Sequence, residues 1–291
     1  MIDYFLISIA LIYLILATIF DIKIKEVPDW LSFSLIAIAL FTNFLYSVVF
    51  NEWDYIIFSL IGLVIALIFG SLMYYSRQWG GGDTKLLIGL CALIPMYPKT
   101  LLNYFNPSLN LPFLAILLLN ILITGGIYGL LFSAGLAIKN HKKFSKEFDL
   151  LIKNYTSKLN IKFYLYYVIP ILLVFMLILI FNYLLSIIFV IFIILLIFIY
   201  IFIKAVENSS MYKLINVKNL EEGDWVVNQI KIKNKIIYKP KLLGVTKQDI
   251  IKLQKSSIKK VLIKDGLPFV PAFLVGFIIS IIFGNLFLLF I

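Results

Sequence analysis

"MIDYFLISIALIYLILATIF", residues 1–20, is an apolar run of the length that a bilayer demands, since crossing a hydrocarbon core about 30 Å thick takes roughly 20 residues of helix. It lacks the basic start and small-residue cleavage site of a secretory signal and carries Asp3 instead, so it reads as a retained helix. Similar runs recur at 31–50, 55–75, 84–105, 111–138, 163–181, 184–203 and 267–291. The expected fold is an all-α polytopic membrane protein of about eight transmembrane helices. Composition agrees: of 291 residues, 62% are apolar and 14% charged, and a mean hydropathy of +1.03 is foreign to a soluble domain. The fourth run is expected to be short, tilted or broken, because Leu86 to Met96 rises only about 16 Å and Pro98 follows.

Charge orients these spans. If the loop holding Lys23 and Lys25 faces the cytoplasm, alternation places every basic residue except Lys99 on that side, which leaves the N-terminus outside. The net charge of +11 is then explained by topology and by anionic lipid headgroups, and calls for no nucleic-acid partner. The organisation expected is a membrane core over 1–138, a basic cytoplasmic loop over 139–162, a helical hairpin over 163–203, a small cytoplasmic α+β domain over 205–265 and a last membrane helix over 267–291. In the insert, alternation in "IKIKNKIIY" (230–238) predicts a strand. Thr246 with Asp249 predicts a capping box opening a helix that runs to about Ser256. A domain of this size has a marginal core by itself.

The chain has one cysteine, Cys91, in an apolar run, and one histidine, His141, among lysines, so neither a disulfide nor a zinc cluster is available. Both are read as structural. No cofactor or metal is expected, and hydrolysis without a metal is the simpler chemistry. No acidic residue falls near the middle of an expected span, which weakens a proton-coupled transporter. Two carboxylates fall at the inner boundary instead: Asp21 in "ATIFDIKIKEVPDWLSF" (17–33) and Asp83 in "SRQWGGGDTKLLIGL" (76–90). Asp83 could simply cap the helix that follows it. Asp21 meets the negative end of its own helix, which local energetics disfavour, unless Lys25 pairs with it. The triplet Gly80, Gly81, Gly82 gives a loop without side chains, open to an extended peptide and to water beside Asp83, although a flexible turn would look the same. Asp29 before the second helix reads as an N-cap. Gly125 and Gly129, with Gly126 and Gly135 nearby, read as close helix packing, and Pro170 reads as a kink.

An aspartate closing the first helix, a basic proline-containing loop (Lys23, Lys25, Val27, Pro28), and then Gly80, Gly81, Gly82 and Asp83 with Lys85 after two more spans resemble the prepilin and preflagellin peptidases. These are membrane aspartic proteases of the GxGD type. The resemblance is best over residues 15–95. It implies an aspartic endopeptidase with Asp21 and Asp83 as the catalytic pair. Its substrate would be a pilin or archaellin precursor whose short basic leader is cut away at the cytoplasmic face. Gly80, Gly81, Gly82, Lys85 and Glu26 are the candidate substrate contacts, Glu26 through attraction of a basic leader. Bacterial relatives often carry paired cysteines and N-methylate the new terminus; without such a pair, no methyltransferase activity is expected here. Two neighbouring carboxylates cannot comfortably both ionise, so the pair would share one proton. The ionised member would then activate water while the other protonates the scissile carbonyl.

Other readings stay open at this point. The triglycine loop could bind phosphate in a transporter or a polyprenyl-phosphate-handling protein, although Asp83 would repel an anion that no divalent metal bridges. The chain could be a non-enzymatic part of a pilus assembly machine. A presenilin-like protease shares the glycine–aspartate motif, but its other aspartate follows a tyrosine within a helix, where this chain has Phe20.

Overall fold

The computed structural model describes residues 2–157, 169–232, 235–241, 244–256 and 258–287. The helices are α1 (Ile2–Ile24), α2 (Asp29–Phe50), α3 (Asp54–Tyr75), α4 (Gly81–Leu93), α5 (Phe113–Lys139), α6 (His141–Ser157), α7 (Ile169–Phe181), α8 (Tyr183–Val206), α9 (Lys247–Gln254) and α10 (Val270–Ile282). Five of the described helices are long and apolar enough to cross a bilayer: α1, α2, α3, α5, and α8 with its extension to Met211. The chain is thus a multi-pass membrane protein. The expectation of eight spans is not met among the described residues, because α4 and α10 have only 13 residues each, as does the described part of α7. The start of the expected sixth span, 163–168, lies outside the described residues.

The chain divides into two units, Met1–Gly129 with Gly266–Ile291, and Leu130–Asp265. In the first, α4 is wrapped by α2 and α3. From Leu86 to Leu93 every residue is buried, as befits a helix that is apolar all round. Small residues admit it. A Cβ on Gly62 would stand 2.3 Å from the Cys91 carbonyl oxygen, one on Gly70 2.8 Å from the Thr84 methyl, and one on Gly89 2.8 Å from Leu35. The expected helix to residue 105 stops at Leu93, and only a 3-10 turn, Lys99–Asn103, follows. Pro95 and Pro98 have no N–H with which to continue it. The orphan carbonyls of its last turn are answered by side chains. Asn43 Nδ2 donates to the Ala92 and Leu93 oxygens at 3.2 and 3.3 Å, and Ser59 Oγ donates to the Ala92 oxygen at 2.7 Å.

The last helix, expected over 267–291, is shorter, and residues 288–291 lie outside the described residues. α10 packs on α5. Gly276 lets it approach the Ile121 backbone, and its carbonyls accept from Thr124 Oγ1 at Ala272 and from Tyr97 Oη at Ile281. Gly125 does not serve helix packing as expected; it makes room for the Phe269 ring. Gly126 and Gly135 have nothing within 4 Å of a built Cβ.

In the second unit, residues 141–157 form helix α6 where a loop was expected; residues 158–162 are outside the described residues. The reason is periodic: Phe144 and Phe148 lie one turn apart and meet Phe202 and Phe198 of α8 edge to face at 5.4 and 6.2 Å. The insert is α+β. Strands β1 (Tyr212–Asn216), β5 (Lys260–Lys264) and β2 (Trp225–Val226) form an antiparallel sheet in the order β1-β5-β2. In place of the predicted single strand at 230–238 there are two, β3 (Ile230–Ile232) and β4 (Lys235–Tyr238), paired antiparallel. Thr246 and Asp249 form the predicted capping box of α9. Val217, Leu220, Val226, Val245, Leu253 and Val261 are among the core of this domain.

Candidate active site

Asp21 lies inside the last turn of α1, which runs on to Ile24 rather than ending before the aspartate. The chain then leaves the helix through Lys25, whose φ of 58° is left-handed and whose N–H closes on the Asp21 carbonyl at 2.8 Å. Only 4% exposed, the Asp21 side chain has a partner the sequence could not point to: the Val270 N–H, first in α10, donates to Oδ2 at 2.8 Å. A carboxylate that is awkward at the end of its own helix is therefore well placed at the start of another. The Lys25 ammonium, the alternative local partner weighed for Asp21, donates to the Gly266 carbonyl at 3.2 Å.

Asp83 stands in the first turn of α4, and its Oδ2 accepts the Gly80 N–H at 3.0 Å, so it does cap its helix. Of the glycine triplet, Gly82 is the one that close packing requires. A Cβ there would lie 3.0 Å from Val27 Cβ and 3.1 Å from Val27 N and O. The first loop is thus seated directly on the glycine motif. Gly80 is exposed, and Gly81 has only Tyr74 nearby, at 3.6 Å. Lys85 Nζ contacts Asp29 Oδ1 at 2.5 Å and lies 5.2 Å from the centre of the Phe33 ring. Asp29 therefore joins the two motifs rather than capping α2, whose N-cap position is Pro28. Glu26 is exposed in the first loop. Across this junction Asp21 and Asp83 come within electrostatic reach of each other.

An aromatic cluster braces the junction. Trp79, directly before the triplet, is 5% exposed, and its ring lies 5.7 Å from Phe69, 5.6 Å from Phe269 and 5.0 Å from Phe273. It fixes the glycine motif, whose Gly81 and Gly82 form the first turn of α4 and not the expected loop, against the start of α10. Sequence reading missed Trp79, Phe269 and the Val270 N–H; the aromatic and proline content of "GLPFVPAF" (266–273) was the available signal.

Residues 8–130, which contain both aspartates and the triplet, match the type IV leader peptidase family, so the resemblance read from the two motifs holds over that stretch. The particular relatives are preflagellin peptidases. The one from Methanocaldococcus jannaschii is 33% identical over 97 residues, 33% of this chain and 41% of the relative. That from Methanococcus maripaludis is 28% identical over 153 residues, 51% and 66% respectively, and that from Methanococcus voltae 29% over 133 residues, 46% and 57%. The chain thus matches less than two thirds of the length of these relatives. No solved structure matches it.

Proposed function

We propose that this protein is a membrane aspartic endopeptidase that removes the short basic leader from type IV pilin-like or archaellin precursors, with Asp21 and Asp83 as its catalytic pair. The observation that carries the reading is the junction itself: Gly82 seated on Val27, with the two carboxylates in electrostatic reach across it. Each carboxylate is oriented by a backbone N–H, Val270 for Asp21 and Gly80 for Asp83. Between them the pair holds one proton. The ionised member draws a proton from water as the oxygen attacks the scissile carbonyl carbon, and the protonated member donates to the carbonyl oxygen. Collapse of the tetrahedral species breaks the C–N bond, with a proton delivered to the leaving amine. The substrate's apolar helix stays in lipid while its leader lies beside the exposed Gly80. In this reading the active site, the first loop and residues 205–265 face the cytoplasm, the N-terminus lies outside, the basic loops meet anionic lipid, and no cofactor takes part.

The capping hydrogen bonds favour a second reading, in which both aspartates are structural and the chain is a non-enzymatic assembly component. Asparagine separates the two, because it caps helices about as well as aspartate but cannot act as acid or base. Asp21→Asn and Asp83→Asn are each expected to insert and fold normally yet leave a co-expressed precursor with its leader intact, as read by mass spectrometry of the mature N-terminus. Full leader removal by either variant would rule that aspartate out of the catalytic pair.

A further inference from the structure

Within the first unit, α5 turns one stripe of residues toward α10. Gly276 meets the Ile121 backbone, Thr124 Oγ1 donates to the Ala272 carbonyl at 3.0 Å, Gly125 makes room for the Phe269 ring, and a Cβ on Gly129 would lie 3.9 Å from Leu267. The partners fall from 276 to 267 as α5 advances from 121 to 129, so the two segments run antiparallel. Tyr128 stands four residues after Thr124 and three after Gly125, which puts it on the same stripe. Its level is that of residues 267–270, where the Val270 N–H donates to Asp21 Oδ2 at 2.8 Å. The half-buried Tyr128 phenol accordingly lies within electrostatic reach of Asp21.

Tyrosines near a bilayer boundary ordinarily stand on the lipid face, with their hydroxyls among the headgroups. Tyr128 continues the inward stripe instead. A phenol is neutral at physiological pH, so it brings an O–H donor to the aspartate pair without adding a charge that would disturb the shared proton. The reaction creates a use for such a donor. As water attacks, the π electrons of the scissile carbonyl move onto its oxygen, and the protonated aspartate serves only one lone pair there. A donor already fixed beside that oxygen stabilises the developing charge at no cost of reorganisation.

We propose that Tyr128 is a third catalytic residue, whose Oη–H donates a hydrogen bond to the scissile carbonyl oxygen as that oxygen gains charge. The aspartates carry the proton traffic; no proton leaves the phenol, so the step needs no further reactant. The inference rests on the peptidase reading and on the place of Asp21 in the pair.

The full chain in lipid nanodiscs is given a precursor in which a short lysine-rich leader precedes an apolar helix, and the freed leader is quantified by mass spectrometry. Rates are compared at a temperature where the buried Cys91 resists maleimide in both proteins, so that folding is held equal. Tyr128→Phe keeps the ring and removes only the hydroxyl. It is expected to lower kcat about a hundredfold with KM within about twofold of wild type. A kcat within about threefold of wild type overturns the proposal. So does a loss carried by KM alone, which makes the phenol a leader contact, and so does a variant that labels at Cys91 at every temperature, which makes its role structural. Asp21→Asn and Asp83→Asn, run alongside, separate this inference from the reading beneath it. If both abolish cleavage while Tyr128→Phe cleaves normally, only Tyr128 loses its role. If either asparagine variant cleaves in full, or wild type leaves the precursor intact, the pair falls and the inference with it.

Discussion

The two 13-residue helices of the first unit, α4 and α10, are built to the same length and held in opposite ways. Each rises about 20 Å, too little to cross a bilayer. Each begins beside one of the two aspartates, and each ends on carbonyls answered from elsewhere in the unit, by Asn43 and Ser59 for α4 and by Tyr97 Oη at Ile281 for α10. α4 carries its carboxylate in its own first turn and is enclosed on every side, its neighbours touching it through backbone at Gly62. α10 takes its carboxylate from α1, 249 residues earlier, and leaves Val275 and Ile278 exposed. The site therefore joins one aspartate in the first turn of a buried helix to another that ties two distant parts of the chain. The family match stops at residue 130, yet residues 266–287 complete the unit and supply the donor to Asp21.

The sharpest way to break this contrast is at the glycines. Gly62→Ala would set a Cβ 2.3 Å from the Cys91 carbonyl, a backbone atom that cannot swing away, and should destabilise the unit by about 3 kcal/mol or more. Gly125→Ala has the same nominal approach, 2.3 Å, but to Cζ of Phe269, the far end of a side chain that can swing away about χ1, so its effect should be smaller. Cys91 supplies the measurement. It is the only cysteine, fully buried in α4, and a maleimide that fluoresces on reaction reports its exposure during heating. Equal melting shifts for the two alanines would break the distinction between the helices.

Next in size is Asn43→Leu, which removes the donor to the Leu93 carbonyl while Ser59 still serves Ala92. A loss of about 1–3 kcal/mol is expected for the stranded carbonyl, read by the same labelling. Asn43→Gln, which keeps the amide, should recover part of it.

The spans α1, α2, α3 and α5 were legible because an unbroken apolar run of about 20 residues matches the thickness of a bilayer and suits little else. The triplet before Asp83 was legible as a place of close backbone approach, which Gly82 makes against Val27, but not as helix: Gly81 and Gly82 belong to the first turn of α4 rather than to a loop. The end of α4 was harder to read. Leu93 stops the helix because Asn43 and Ser59 accept that termination, and those residues sit in runs that look like any other membrane helix. Helix α6 was hidden by its lysines, which mark a cytoplasmic segment whether or not it is helical; the spacing of Phe144 and Phe148 was the signal to weigh against them. Asp21 was visible as a residue without a local reason to be where it is. Its partner was not visible, because a backbone N–H leaves no mark in sequence and this one lies at the far end of the chain.

The aspartates rank below Asn43 in stability, whatever their role in chemistry. Asp21→Ala should cost about 1–2 kcal/mol and Asp83→Ala about 0.5–1, since the former cap is buried and joins two helices while the latter is a local contact beside exposed Gly80. The corresponding asparagines should stay within a few tenths of wild type in Cys91 labelling. A larger loss for Asp83→Ala than for Asp21→Ala would mean that the turn before α4, rather than the tie to α10, holds the site together.

The smallest effect is expected at the ion pair across the junction. Lys85 and Asp29 are 35% and 65% exposed, so most of their attraction is screened by water, and Lys85→Met should lower stability by about 0.5 kcal/mol or less at low salt. The methionine retains an apolar stem against the Phe33 ring, so what is lost is chiefly the charge. Raising salt to about 1 M shortens the screening length to roughly 3 Å and should erase the difference from wild type. A deficit that persists at high salt would show that the pair is dehydrated at the junction. Lys85 would then brace Asp83 against the first loop instead of standing free to meet a leader peptide.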